Sequence, residues 1–361
     1  MRILAFVPLL MVLTSSAMAQ QPLAGAKRPN LRVLQALPEA QLFPLMNLVA
    51  DSLGVRCDYC HVQATPDLTK TPANVGGWVW DSDDKPQKRT AREMMRMVVA
   101  LNAGSFKGES RVTCYTCHRG SPKPERTPPL PPPPADGGLT PAPPALPPAD
   151  RVWKTYVDAV GGGAPTPGTG TVMSGWDDRP EGRYGKVEIV VSGSDRYRIN
   201  LSTANGTISQ GLDGDAAWAS TNDVVQRLSG GDVARMRRIA MRYRPVKERP
   251  AGFEIVGLDR LGDRTVYVAR ARVDPLTTVM LYFDVVTGLL RREVTTTETM
   301  LLPLQDQIEY DDYRDVSGVK LPFRVQTSDG APYDTVTRTF LQIRHNVPVD
   351  ALVFRPPSGP R

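Results

Sequence analysis

The sequence predicts a multidomain chain: a mainly α N-terminal domain, a proline-rich linker, and a C-terminal domain whose antiparallel sheet curls into a half-barrel. Three observations carry this. Residues 20–120 show helical patterns punctuated by two cysteine motifs. Residues 121–149 read SPKPERTPPLPPPPADGGLTPAPPALPPA, too rich in proline to sustain a helix or a central strand. Residues 150–361 contain a succession of Val-, Ile-, Thr- and Tyr-rich runs that alternate apolar with polar positions.

The first nineteen residues are expected to be removed. Arg2 supplies a positive start, residues 3–13 form an apolar run of signal-peptide length, and Ala17-Met18-Ala19 offers the small-x-small pattern of a cleavage site. Cleavage after Ala19 would leave a chain with no transmembrane segment, placed in the periplasm. The competing reading is an uncleaved anchor, but an anchor would stay apolar where these small residues stand. The chain has 361 residues, ample for two domains, and its 41% hydrophobic fraction fits neither a membrane protein nor a wholly disordered one.

In the N-terminal domain, residues 44–53 read as a helix, with Pro44 in its first turn and Gly54 as the C-cap. Residues 90–101 read as a second helix, with Met94, Met97 and Leu101 on one face and Met95 pointing elsewhere. The linker is expected to be a polyproline-II spacer with a break at Gly137-Gly138. Beyond it, residues 151–160 form a helix stopped by Gly161-Gly162-Gly163. Strands are expected at 186–192, 196–203, 206–212, 216–220, 253–258, 265–273, 278–285, 289–297, 307–314, 321–327 and 337–344, with turns at Asp213-Gly214, Thr287-Gly288, Ser317-Gly318 and Asp329-Gly330. One basic helix, residues 232–243, interrupts them, with Asp232 as its cap and Pro245 at its end.

All four cysteines fall in two motifs, Cys57-Asp58-Tyr59-Cys60-His61 and Cys114-Tyr115-Thr116-Cys117-His118. None is left for a structural disulfide. Cys-x-x-Cys sets two thiols one helical turn apart, as the two vinyl groups of a porphyrin require. The following histidine then points at the iron from the same turn. A Cys₄ zinc site competes, but zinc needs no histidine after each pair, and two of only three histidines in the chain stand there. Two covalently bound haem c groups follow as the expected cofactors. The remaining histidine, His345, falls in a strand-like run and reads as a surface residue. Methionine is therefore left as the sixth ligand, with Met46 upstream of the first motif and Met94, Met95 and Met97 upstream of the second. Core packing accounts for these methionines equally well on spacing alone.

Residues 31–122 resemble the cytochrome c subunit of photosynthetic reaction centres. The match runs through Leu45-Met46, Leu53-Gly54-Val55-Arg56 with the first motif and Val62, then Lys88-Arg89-Thr90-Ala91-Arg92-Glu93-Met94, Met97 and Asn102, then Val112-Thr113 with the second motif and Arg119-Gly120. That resemblance implies that Met46 and His61 bind the first iron, and Met94 and His118 the second, with Met97 as the fallback. The family's subunit carries four such motifs and this chain two, so what carries over is a dihaem unit and not direct donation to a pigment. Trp78 and Trp80, in the loop Asn74–Trp80, are expected either to cover a haem edge or to fill core.

Residues 20–120 hold 13 Lys and Arg against 9 Asp and Glu. Haem propionates would balance this excess, with Arg92, Arg96 and Arg111 as partners, so the formal charge of +6 does not imply nucleic-acid binding. The C-terminal region, through residues 153–162, 282–290 and 313–322, resembles outer-membrane lipoprotein carriers, which implies an apolar groove and no reaction. No catalytic constellation is present there. The expected function is electron transfer between periplasmic or membrane partners by a non-enzymatic carrier, with the β domain binding a partner or apolar ligand. The alternative is a carrier or sensor of a lipid-like or quinone-like molecule whose haems report redox state. A haem peroxidase would need an open iron and a distal acid–base group, for which no histidine is available.

Overall fold

The computed structural model describes residues 30–63, 78–124, 145–162, 166, 168–222, 224–228, 231–244, 248–299, 301–328 and 335–357. The expected signal segment, most of the expected linker, Asn74–Gly77 and the Asp329-Gly330 turn lie outside these residues.

Helix α1 spans Glu39–Leu53, starting five residues before the predicted first turn and enclosing Pro44. Pro44 therefore lies in the second turn, and the helix forgoes the bond that a residue there would make to the Ala40 carbonyl. Gly54 ends the helix in the left-handed region, at φ 63°. Helix α2 is the short turn Cys57–Cys60. Strand β1 (Val62–Gln63) pairs antiparallel with β2 (Trp78–Val79). Helix α3 runs Pro86–Gly104, longer than predicted at both ends, because Pro86 already has the φ of a first helical turn. Helix α4, Cys114–His118, carries the second motif.

From residue 149 on, helix α5 (Ala149–Val160) leads into a single antiparallel sheet of thirteen strands. These are β3 (Thr169–Arg179), β4 (Gly182–Ser192), β5 (Arg196–Thr203), β6 (Gly206–Asp213), β7 (Ala216–Thr221) and β8 (Val224–Leu228). After helix α6 (Gly231–Met241) come β9 (Glu254–Leu261), β10 (Arg264–Asp274), β11 (Thr277–Asp284), β12 (Leu290–Thr297), β13 (Leu304–Val316), β14 (Val319–Ser328) and β15 (Val336–Pro348). Neighbours in sequence are neighbours in the sheet, with one exception: β3 pairs with β15 at the centre, leaving β8 and β9 as the two edges.

Strands β3 and β8 were not among the predicted ones. The inward face of β3 is Thr171, Met173, Gly175 and Asp177, which does not read as a hydrophobic alternation. Gly175 is required because a Cβ there would stand 2.1 Å from the Thr339 carbonyl oxygen. Asp177, fully buried, is tolerated because Arg179 Nε lies at 2.9 Å and Arg338 Nε at 3.1 Å.

One face of the sheet and the two long helices share a core. Val152, Tyr156 and Val160 of α5, and Met236 and Ala240 of α6, pack with side chains drawn from strands on both sides of the β3–β15 centre, including Ile189, Leu212, Ala217, Ala269, Phe283 and Phe323. Strands that distant in one sheet can meet around the same helices only if the sheet curls. Trp153 and Tyr156 sit edge-on or tilted against Phe253 and Phe283 at 5.2–5.3 Å. The basic helix is anchored rather than free: Arg237 pairs with Asp215, Arg242 reaches Asp306 at 3.7 Å, and the Arg244 guanidinium donates to the Arg196 carbonyl. His345 lies on β15 half-buried, not at the surface as expected, with Nδ1 2.8 Å from Oγ1 of the buried Thr171 across the strand pair.

A second core joins the helical region before residue 120 to the β-rich region. Leu34, Leu42 and Leu45 from the α1 region and Met95 and Val98 from α3 enclose Leu301 and Leu302, from the connection between β12 and β13. Among the described residues, no helix is long and apolar enough to cross a membrane.

Candidate functional site

Four residues of three chemical types meet at one cavity. Met46 from α1, Cys57 and Cys60 from α2, and His61 just after it all line the same cleft, walled by Leu31, Val33, Leu34, Leu42, Val49 and Met95. The spacing explains the arrangement. Gly54 turns the chain back at the end of α1, Val55 N–H bonds the Ala50 carbonyl, and the motif therefore opens beside the helix that bears Met46. The cations Arg32, Arg56, Lys88 and Arg92 also line the cleft.

His61 is held neutral. Its pKa is lowered to about 4, first by burial, then by the nearby charges of Lys88, Arg92 and Lys85. A neutral imidazole is the form that donates a nitrogen lone pair to a metal. The β1–β2 pair returns the chain so that Trp80 meets the imidazole edge-to-face, with ring centroids 5.0 Å apart. Phe43 and Trp78 contact Trp80 in turn, at 5.6 and 5.1 Å. Trp80 therefore lines the cavity and is not core. Burial pushes the Cys60 and Cys114 thiols up, so neither is a free thiolate in the bare polypeptide.

Asp83 organises the cations. It lies 2.8 Å from Arg92 and 3.4 Å from Lys88 and accepts from the Asn30 amide at 2.8 Å. The Arg92 hydrogen bond is the main reason its carboxyl titrates far below the usual carboxylate range. Arg92 also donates to the Asn30 carbonyl, at 3.0 Å. Of the three arginines expected near acidic groups of a cofactor, only Arg92 lies on the cavity. Arg96 and Arg111 pair instead with Glu93 (2.6 Å) and Glu109 (2.7 Å) at the surface.

The second motif is built differently. Thr113 and Thr116 form a capping box at the start of α4. Asn102, buried at the end of α3, braces the approach: its amide donates to the Val112 carbonyl at 2.8 Å and accepts from the N–H groups of Arg111 and Val112 at 3.1 and 2.9 Å. His118 Nδ1 is 2.9 Å from the Ser121 carbonyl, which fixes Nδ1 as the protonated nitrogen and leaves Nε2 for a metal. Met95 is buried and turned to the first cleft, whereas Met94, Met97 and Leu101 lie exposed on α3, as does Tyr115 of the motif. Apolar surface of this kind marks a place for a covering group. The structure separates Met95 from the other two and leaves Met94 and Met97 equivalent in exposure.

The two motifs are tied together. Gly120 N–H bonds the Ser52 carbonyl at 2.9 Å, and a Cβ on Gly54 would stand 2.1 Å from the Gly120 oxygen. The helix carrying Met46 thus ends on the loop that follows His118. The roles of Asn102 and Gly120 escaped prediction. A buried-face polar residue in α3 was their only local signal.

The residues present fit covalently held haem. Each motif supplies two thiols one helical turn apart and an imidazole directly after them, and the first also has a thioether facing the same cleft.

Residues 15–129 match the family described as the photosynthetic reaction centre cytochrome c subunit. Over 108 residues the chain is 35% identical to the photosynthetic reaction center cytochrome c subunit of Thermochromatium tepidum, covering 29% of this chain and 23% of that one. Over 100 residues it is 34% identical to cytochrome c-554 of Chloroflexus aurantiacus, covering 26% and 20%. The chain therefore spans about a quarter or less of the length of these relatives. Among solved structures, a LolA superfamily protein from Nitrosomonas europaea aligns with 58% of this chain and 98% of its own, at 13% identity and a TM-score of 0.40. A DUF1329 family protein from Desulfovibrio piger aligns with 58% and 98%, at 12% identity and a TM-score of 0.40.

Proposed function

We propose that this chain is an exported c-type cytochrome that holds two haems and passes electrons between periplasmic or membrane-bound redox partners. The observation that carries the reading is the convergence of Met46, Cys57, Cys60 and His61 on one apolar cleft, with His61 kept neutral there. The family match over residues 15–129 supports the same chemistry.

In this reading Cys57 and Cys60 anchor the first haem and His61 and Met46 ligate it. Cys114 and Cys117 anchor the second, with His118 and Met94 as ligands. The haem supplies one-electron iron chemistry when bound. The residues of the chain do the rest. His118 is oriented by the Ser121 carbonyl, which strengthens its donor nitrogen. Trp80, Phe43 and the aliphatic wall exclude water from the first cleft, and Arg32, Arg56, Lys88 and Arg92 supply positive charge for propionates. We assign residues 20–120 to the haem domain, 121–149 to a linker and 150–361 to a partner-docking domain. Helices α5 and α6 pack against the inner face of the sheet, and the cavity left beside Tyr156, Met173, Tyr243 and Tyr310 is about 30 Å³, too small for a lipid-sized molecule; this favours the electron carrier over the lipid- or quinone-carrier alternative.

Matured in a host able to attach c-type haem, the protein should keep its colour through acid–acetone extraction and weigh two haems more than the polypeptide. Met46→Ala should remove one methionine–iron charge-transfer contribution. Met94→Ala should remove the other, while Met97→Ala leaves it intact. A colourless or zinc-bearing product would refute the function. Loss of the second signal in Met97→Ala alone would move that ligand to Met97.

A further inference from the structure

We propose that Leu301 and Leu302, on the β-rich region, are positioning residues for the first haem site: they seat α1 and so hold Met46 at its cleft. The inference rests on the assignment of Met46 as a ligand.

Both leucines are inserted where they have no role in the sheet. Leu301 is fully buried and Leu302 nearly so, yet they belong to the connection after β12 and pack on Leu34, Leu42, Leu45, Met95 and Val98. The connection is pre-shaped for this. Thr299 Oγ1 accepts from the N–H groups of Leu301 and Leu302 at 3.3 and 3.2 Å and donates to the Leu302 carbonyl, closing a tight turn that presents two side chains together. Glu298 N–H fastens its base to the Leu276 carbonyl at 2.8 Å.

The packed cluster is also the floor of the cleft. Leu34, Leu42 and Met95 touch the inserted leucines' cluster and line the cavity that Met46 and His61 share, and Met46 itself packs against the same cluster. A side chain in a close-packed layer transmits displacement rather than absorbing it. Shortening Leu302 therefore loosens the packed layer on which α1 rests. The second motif gains less from the insertion. Val112 and Cys114 touch the cluster, but its braces, Asn102 and the Ser121 carbonyl, and its histidine lie outside it.

The test is a spectroelectrochemical titration of the full-length dihaem protein in wild type, Leu302→Ala, Leu302→Met, Thr299→Ala and Met46→Ala. Methionine ligation raises a haem's potential. Leu302→Ala should lower the potential of the wave that Met46→Ala identifies and weaken its methionine–iron band, with the other wave shifting less. Leu302→Met, which refills the space, should restore both, and Thr299→Ala should shift the same wave less. If Met46→Ala changes nothing, the ligand assignment has failed. If Met46→Ala shifts a wave and neither Leu302→Ala nor Thr299→Ala does, or both waves move equally, the positioning role is overturned. Should Leu302→Ala not accumulate, Thr299→Ala decides alone.

Discussion

Gly54→Ala tests whether the two motifs form one mechanical unit. Two costs are separable. The backbone at Gly54 has φ 63° and ψ 34°, a left-handed conformation that costs a residue with a Cβ about 1–2 kcal/mol. The added Cβ would also stand 2.1 Å from the Gly120 oxygen and 2.9 Å from its carbonyl carbon. Relief requires the loop after His118 to move away, breaking the bond from Gly120 N–H to the Ser52 carbonyl, worth about 1 kcal/mol. The expected loss is about 2–3 kcal/mol, or roughly 10–20 °C in Tm for a cooperative unit of about 60–100 residues. Gly108→Ala is the control: φ is 88°, but nothing lies within 4 Å of the added atom, so only the conformational cost applies. Thermal melts followed by circular dichroism in the haem absorption region would compare them. If Gly54→Ala melts no lower than Gly108→Ala, the contact between α1 and the loop after His118 does not hold the site together.

Asp83→Asn should free Arg92 and Lys88. Because the carboxyl titrates below its unfolded value, its stabilisation is complete above about pH 4 and fades as the pH falls further. Acid-unfolding curves should show the variant weaker at neutral pH and converging with wild type in strong acid; a constant offset across that range would contradict the ion-pair hub. Asn102→Ala strands two N–H groups and one carbonyl and should cost about 2–4 kcal/mol. Denaturant unfolding would read the loss, with exchange protection at Val112 falling first; unchanged protection would mean that another group braces the second motif.

The two pentapeptide motifs were legible because the chemistry is local: thiol, thiol and imidazole must occupy one turn, so their spacing is written in consecutive residues. The strands with clean alternation were equally plain, from β5, predicted to the residue, to β14. Strand β3 was not, because its inward face is made of Gly175, which β15 forces to be small, and Asp177, which two arginines neutralise. Neither cause is visible within β3 itself.

The sequence by itself determined the two Cys-x-x-Cys-His spacings, the helices before them and the antiparallel character of the C-terminal half, since each depends on covalent spacing or on the two- and 3.6-residue periods of the backbone. Only the tertiary structure decided that Met95 faces the first cleft while Met94 and Met97 lie exposed, that Gly54 meets Gly120, and that Leu301 and Leu302 complete a core far upstream. Those contacts join residues distant along the chain, and close packing between distant surfaces is set by shape, which no local pattern encodes.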